Sequence, residues 1–244
     1  MVDPTRWFKS TPLQAQAGVR ASSSAGSVPE KGDKSNPVVV PIRSIGPGQI
    51  ARIEAHLLEL DSQDRYLRFG YAANDEQIRR YVAQLNFERD ELFGIFNRRL
   101  ELIAMAHLAF SLDPKYNSCA EFGVSVNKSA RGRGYGGRLF ERAVMHARNE
   151  GVHMLFIHAL SENTAMLKIA RRAGAVIERD GSESEAHLRL PPADFDSRVT
   201  EIVNEQVAIT DYHLKAQAKQ FWGILSVLQE IRQGVREARE RVRG

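Results

Sequence analysis

Apolar and polar positions fall in blocks along this chain, and the spacing changes from block to block. Val38 to Ile45 is a strand-like run in which Pro41 marks an edge or a bulge. Gly46-Pro47-Gly48 ends it. Ile50, Ile53, Leu57 and Leu58 then recur at helical spacing, and Ile78, Val82 and Leu85 predict a second helix. Three strand-like runs follow: Leu92 to Phe96, Leu102 to Phe110 and Cys119 to Val126. Asn97-Arg98-Arg99 joins the first pair as a hairpin, and a longer turn around Asp113-Pro114-Lys115 joins the second. A glycine cluster opens a helix with Leu139, Ala143, Val144 and Ala147 on one face, closed by Gly151. His153 to Leu160 predicts a strand, and Asn163 to Ala173 a helix ended by Gly174. Val176–Glu178 and Ala186–Leu190 predict two last strands around Asp180-Gly181-Ser182. The order β-α-α-β-β-β-α-β-α-β-β places the chain in the α/β class, mixed, and excludes a doubly wound parallel sheet or a helix bundle.

Both ends differ from this middle. Residues 1–37 are rich in Ser, Gly and Lys without an apolar period, the pattern of a disordered tail, although Trp7 and Phe8 could form a short docking motif. The tail has no apolar stretch of the secretory kind; being Ser-rich and poor in acids, it leaves an organelle transit peptide open. Pro191-Pro192 closes the domain, whose bounds are taken as residues 38–195, and residues 196–244 read as a helical extension. Within it Phe221, Ile224, Leu228, Ile231, Val235, Ala238 and Val242 alternate in steps of three and four. That is a seam for a homodimer or a partner helix through residues 221–242, or the inner face of a helix folded back on its own domain. The Arg-rich end (Arg232, Arg236, Arg239, Arg241, Arg243) suits a helix C-terminus and reads as a solvated face.

Composition narrows the classes. Hydrophobic residues make up 43% and charged residues 26%, enough for a packed core, and no apolar run is long enough to span a bilayer. A single cysteine, Cys119, excludes an internal disulfide framework and a cysteine-based metal cluster, and fits a reducing, cytoplasmic setting. The net charge of +4 is compatible with an anionic ligand and too weak to imply nucleic acid. His107 and His158 sit in apolar strands as core imidazoles, and no metal-ligand spacing occurs.

The chemistry concentrates at residues 130–137, Ala-Arg-Gly-Arg-Gly-Tyr-Gly-Gly. Glycine lets the backbone approach a ligand closely, a helix start offers free N–H groups to an anion, and Arg131 and Arg133 add charge. This combination builds a phosphate cradle. Gly132, Gly134 and Gly137 formally match the dinucleotide pattern G-x-G-x-x-G. Yet polar Asn127 to Arg131 separates them from the strand, and the next strand ends without an acid, so a nicotinamide-dependent oxidoreductase is the weaker reading.

Framed as Arg131-x-x-Gly134-x-Gly136 after Val124-Ser125-Val126, the segment resembles the pyrophosphate-binding motif of the GNAT superfamily of acyl-CoA-dependent N-acyltransferases. Glu121 to Val126 is similar to that family's fourth strand. Asn163 with Met166, Leu167 and Arg172-Ala173-Gly174 is similar to its fourth helix, and the likeness runs from Val38 to Leu190. It is similar in particular to the acetyltransferase domains of bacterial protein-lysine acetylases. The resemblance implies a mostly antiparallel sheet whose fourth and fifth strands splay. It implies acetyl-CoA as co-substrate, with Val124, Ser125 and Val126 facing the pantetheine arm. Arg131, Gly132, Arg133, Gly134, Tyr135, Gly136 and Gly137 would hold the pyrophosphate, and Asn163 would touch the arm. It implies an acetyltransferase acting on a primary amine, either a protein lysine or a small molecule.

An alkyl ammonium is almost wholly protonated at neutral pH and cannot attack until its proton is accepted. Glu121, at the start of the fourth strand, is the expected general base, against a plain edge carboxylate. Many relatives carry a tyrosine acid in the fourth helix; the matching position here is Ala170, and Tyr135, Ser125 and His158 stay open as substitutes. That departure keeps a second reading in view, a non-catalytic acyl-CoA-binding module that engages a partner through its C-terminal helix. Acceptor selection is expected from the first two helices and the last hairpin, with Arg65, Arg68, Phe69, Tyr71 and Tyr81 on that side.

Overall fold

The computed structural model describes residues 40–111, 118–193 and 198–213. The predicted tail of residues 1–37 and the seam of residues 221–242 lie outside them.

A seven-stranded sheet in the order β1-β2-β3-β4-β5-β7-β6 carries helices on both faces. Its strands are β1 (Arg43–Ser44), β2 (Glu91–Phe96), β3 (Leu102–Phe110), β4 (Cys119–Val126), β5 (Met154–Leu160), β6 (Val176–Asp180) and β7 (Glu183–Arg189). Every neighbouring pair is antiparallel except β4 with β5, which run parallel. The helices are α1 (Ile50–Leu58), α2 (Ser62–Phe69), α3 (Asp75–Ala83), α4 (Tyr135–Asn149) and α5 (Thr164–Arg172). A sixth, α6, covers residues 198–213. No helix among the described residues is long and apolar enough to cross a membrane.

The sheet has a different core on each face. On one, Phe122, Phe93 and Leu155 pack against Leu139, Phe140 and Ala143 of α4 and Leu167 and Ala170 of α5. On the other, Leu92, Phe96, Leu102 and Met105 pack against Ile53 and Leu57 of α1 and Ile78 and Val82 of α3. The strand period of two therefore sends Ala120 and Phe122 of β4 toward the α4 core, and Glu121, Gly123 and Ser125 toward α1–α3.

Three expectations are corrected. The strand read over Val38–Ile45 is reduced among the described residues to Arg43–Ser44. Pro41 has no N–H to give a ladder, and Val40 and Ile42 only pack against the core. A helix the apolar period did not show, α2, lies between the two predicted ones. Asp61 caps it by accepting from the Asp64 N–H at 2.8 Å, and Gly70 ends it in the left-handed region at φ 74°. The last hairpin is longer than read: its strands reach Asp180 and start at Glu183, since residues that alternate polar with apolar still pair along an edge.

Helix α6 lies against the domain through polar and aromatic contacts. Glu201 accepts from Arg142 Nη1 at 2.5 Å and contacts His146 Nδ1 at 2.6 Å. Glu205 accepts from Arg142 Nη2 at 3.1 Å and from the Ser44 N–H at 3.2 Å, drawing β1, α4 and α6 together. Ala208 is buried, and Tyr212 stacks edge-on to Phe96 beneath the Arg43 guanidinium. Val199, Ile202, Val203 and Val207 form an exposed apolar stripe on the other side of this helix.

Candidate functional site

The parallel ladder between β4 and β5 is short. It joins Cys119 to Met154, Ala120 to Leu155 and Glu121 to Phe156, and stops there. Beyond it β4 pairs only with β3, up to Ala104–Val126, while β5 pairs only with β7, up to Leu160–Glu183. The two strands part after Glu121, leaving the backbone of residues 122–126 without a partner on the β5 side. Unpaired strand edges hydrogen-bond readily to an extended ligand bearing amides.

Glu121 sits half-buried where the strands part, between Ala109 of β3 and Phe156 of β5. Its carboxylate takes no hydrogen bond or ion pair from the described residues, and its charge reaches the phenol of Tyr81. Val124 and Val126 are half-buried on the α4 core. Ser125 is buried against α1, with its Oγ 2.8 Å from His56 Nε2. The other imidazole nitrogen, Nδ1, lies 2.9 Å from the Leu102 carbonyl, which can only accept. His56 is therefore the Nδ1–H tautomer, and the Ser125 hydroxyl donates to Nε2. Burial holds the His56 pKa down at about 4, with the Leu102 hydrogen bond opposing and the Arg68 charge assisting.

At the open end of β4 the chain makes one 3-10 turn and enters α4 through glycines. Gly134, the N-cap of α4, has φ 74°, a conformation that suits glycine, and no side chain caps the helix. The first-turn N–H groups of Tyr135, Gly136 and Gly137 thus keep their donors, and the helix dipole adds positive potential there. Gly136 packs closely on α5: a Cβ would stand 3.3 Å from Ile169 Cδ1. Arg133 is exposed beside this turn.

Arg131 is expected from the sequence to add charge to the phosphate cradle. Its side chain is engaged, pairing through Nη2 with the buried Asp64 of α2 and donating from Nε to the Val126 carbonyl at 3.2 Å. Lys128 with Asp61 at 3.7 Å, and Asn127 Nδ2 donating to Glu59 at 2.6 Å, tie the same loop to the α1–α2 turn. Asn163 caps α5 by accepting from the Met166 N–H at 3.1 Å, and its Nδ2 donates to the Leu67 carbonyl of α2 at 3.4 Å. Ala170 is fully buried in the α4 core.

The structure thus gathers the predicted residues along one line: Glu121, the β4 edge over 124–126, the loop of 131–137, and Asn163 across the opening. Sequence reasoning missed His56, Asp64 and Asp90. His56 is hidden in the apolar period of α1 beside Ile53 and Leu57. Asp64 and Asp90 are short acids that become buried only because cations meet them. Among the described residues, no group of three or more His, Cys, Asp or Glu is placed to hold a metal.

Residues 56–175 match the sequence profile of the acetyltransferase (GNAT) family. Among solved structures, the chain superposes on the GNAT domain of S. lividans PAT with a TM-score of 0.53 and 19% identity, covering 61% of this chain and 89% of that one. An acetyltransferase of the GNAT family from Streptococcus pneumoniae gives 0.51 at 15% identity over 62% and 98%. A Salmonella typhimurium protein crystallised with acetyl-CoA as its cofactor gives 0.50 at 14% identity over 64% and 96%. At these identities the superpositions establish a shared fold.

Proposed function

The chain belongs to the acetyltransferase (GNAT) family, whose members use acetyl-CoA, and on that premise we propose that it transfers an acetyl group to a primary amine with Glu121 as the general base. One observation carries this reading. The parallel ladder ends at Glu121 and Phe156, so a carboxylate without a partner among the described residues stands where the sheet opens, with the glycine-opened helix at the far end of the same strand edge. Acetyl-CoA supplies the activated acyl group as a thioester.

The remaining roles follow from this chain's own atoms. The first-turn N–H groups of α4 receive the pyrophosphate, with Arg133 beside them, while Arg131 braces the loop through Asp64. The open edge of β4 over 124–126 receives the pantetheine amides. Asn163 lies across the opening, already bound to Leu67. Glu121 takes the proton that an ammonium must lose before its lone pair can attack. Ser125 directs its proton to His56. Ala170 has no acidic hydrogen, so the departing thiolate, a good leaving group, takes its proton from water.

We place the protein in the cytoplasm, because Cys119 is the one cysteine in the chain and a lone buried thiol suits a reducing compartment. We also read the C-terminal segment as a self-association helix. Val203 and Val207, exposed on α6, stand in register with the seam that begins at Phe221, at the same steps of three and four. Truncation after His213 converts a dimer into a monomer on this reading; light scattering that shows a monomer before and after defeats it.

The test is calorimetric titration with acetyl-CoA, NADH and free CoA, then thiol release with amine acceptors. Acetyl-CoA binds and Gly134→Glu abolishes binding, because its carboxylate enters the anion-receiving turn at a positive φ. Glu121→Gln binds acetyl-CoA but turns over about 10²–10⁴ times more slowly. Binding of NADH in place of acetyl-CoA overturns the proposal.

A further inference from the structure

Arg68 stands alone on the acceptor side of the site. It lies in the last turn of α2, and its guanidinium rests flat on β4 over Gly123. A Cβ there would stand 2.7 Å from the guanidinium carbon and from both terminal nitrogens. Nη2 donates to the Tyr81 hydroxyl at 3.1 Å, and the rings of Phe69 and Tyr81 lie 5.3 and 5.7 Å from the guanidinium carbon. These contacts hold the group in place without cancelling its charge.

The acid reached through Tyr81 is already committed. Tyr81 receives the Arg68 N–H and passes its own proton toward His107 Nδ1, 2.8 Å away. His107 Nε2 lies 3.2 Å from the buried Asp90, whose carboxylate accepts from Arg89 Nη2 at 2.7 Å. Arg89 neutralises Asp90, so the network anchors Tyr81 and leaves the Arg68 charge standing. No carboxylate of the described residues comes within ion-pair distance of Arg68. The Arg68 side chain is half-buried, and its remaining N–H donors are open to solvent, where a ligand's carboxylate can take them in paired geometry.

Its position says which part of a ligand that is. Glu121 and Gly123 project from the same face of β4, two residues and about 7 Å apart. An amine offered to Glu121 brings any acidic group a few bonds away to Arg68. A guanidinium here opposes an acceptor that arrives as a bare ammonium and favours one whose own acid balances it.

We propose that Arg68 is the acceptor-specificity residue, and that the acceptor is a small amine bearing a carboxylate close to its nitrogen, an amino-acid-like substrate and not a protein lysine. This rests on the acetyl-transfer reading. Guanidinium binds carboxylate through paired N–H donors, with a strength that truncation exposes as a loss of about 100-fold.

The test compares wild type, Arg68→Gln and Gly123→Ala by thiol release from acetyl-CoA. The acceptors are a panel of free amino acids, the same amino acids as C-terminal amides, the matching aminophosphonates, and a lysine-containing peptide with blocked ends. Wild type prefers a free amino acid over its amide by about 100-fold in kcat/KM. Arg68→Gln brings that ratio close to one, with the loss in KM. Gly123→Ala keeps the charge and pushes it off the strand, and lowers the ratio without removing the arginine; melting temperatures confirm that both variants fold. Preference for an aminophosphonate over the carboxylate keeps the acidic recognition and overturns the carboxylate assignment. Equal use of acid and amide, or preference for the blocked lysine peptide, overturns the proposal, as does an unchanged ratio in Arg68→Gln. An enzyme that binds acetyl-CoA but acetylates none of the acidic amines overturns this proposal alone. Failure to bind acetyl-CoA overturns the reading beneath it.

Discussion

Acidification tests the buried His56–Ser125 pair directly. The imidazole is neutral in the folded protein, with a pKa of about 4 against 6.5 when unfolded, burial being the main cause. The folded state therefore resists a proton that the unfolded chain accepts, and stability present above pH 6.5 is lost as pH falls toward 4. At about 1.4 kcal/mol per pH unit, the cost is about 1 kcal/mol at pH 5.5 and about 3 kcal/mol by pH 4. Glu201 acts lower. Burial alone would raise its pKa, but hydrogen bonds from His146, Asn149 and Arg142 outweigh it and hold it at about 2, against an ordinary 4.5. Its contribution is lost only as pH falls from about 4.5 toward 2, below the range in which His56 acts. Urea unfolding at half-unit steps from pH 7.5 to 5 measures the slope. In His56→Asn, whose amide can donate to Leu102 and accept from Ser125, that slope disappears. A wild-type stability that stays flat from pH 7 to 5, or a slope that survives in the variant, refutes the assignment of a neutral buried imidazole.

The other outcomes concern the loop, the base and α6. Gly134→Ala places a β-carbon at φ 74° and costs about 1 kcal/mol in urea unfolding, while acetyl-CoA binding measured by calorimetry weakens as the turn distorts. Glu121→Asp withdraws the carboxylate by one carbon and lowers kcat by at least about tenfold in the thiol-release assay with acetyl-CoA affinity kept; an unchanged kcat argues against a base at this position. Glu201→Ala leaves the buried Arg142 with Glu205 alone and lowers stability by about 2 kcal/mol, and amide exchange across 198–213 accelerates more than exchange in α4.

How much of this was legible in the sequence depended on what holds each element. β3 and β4 match their expected bounds, Leu102–Phe110 and Cys119–Val126, because apolar residues crowd strands covered on both faces. The glycine run marked the start of α4, and Asn163 marked the cap of α5, because both signals are local and chemical. The parting of β4 from β5 was available only through resemblance to the family: nothing in Phe122–Val126 or Ile157–Leu160 says that the two strands pair for three residues and separate. The partner of Arg131 was invisible for the same reason, since Asp64 lies far from it along the chain.

Helix α2 shows why the least legible element is also the one that faces the acceptor on the proposed reading. Its buried residue is an acid, Asp64, and its inward side chains include Arg65 and Arg68, so an apolar period could not reveal it. It is placed by polar contacts made one at a time. Arg131 meets Asp64, Arg65 Nη2 donates to the Leu58 carbonyl at 2.7 Å, Arg68 lies on Gly123, and Asn163 donates to the Leu67 carbonyl. Each of these reaches a segment of the site: the loop after β4, the open edge of β4, or the start of α5. Helix α4 is the opposite case, buried through Leu139, Phe140, Ala143 and Ala147 and indifferent to what occupies the opening. A hydrophobic seat fixes α4, the helix proposed above to receive the phosphate. A polar seat leaves α2 answerable to the charges around it, and on the proposed reading those charges are the ones an acceptor complements.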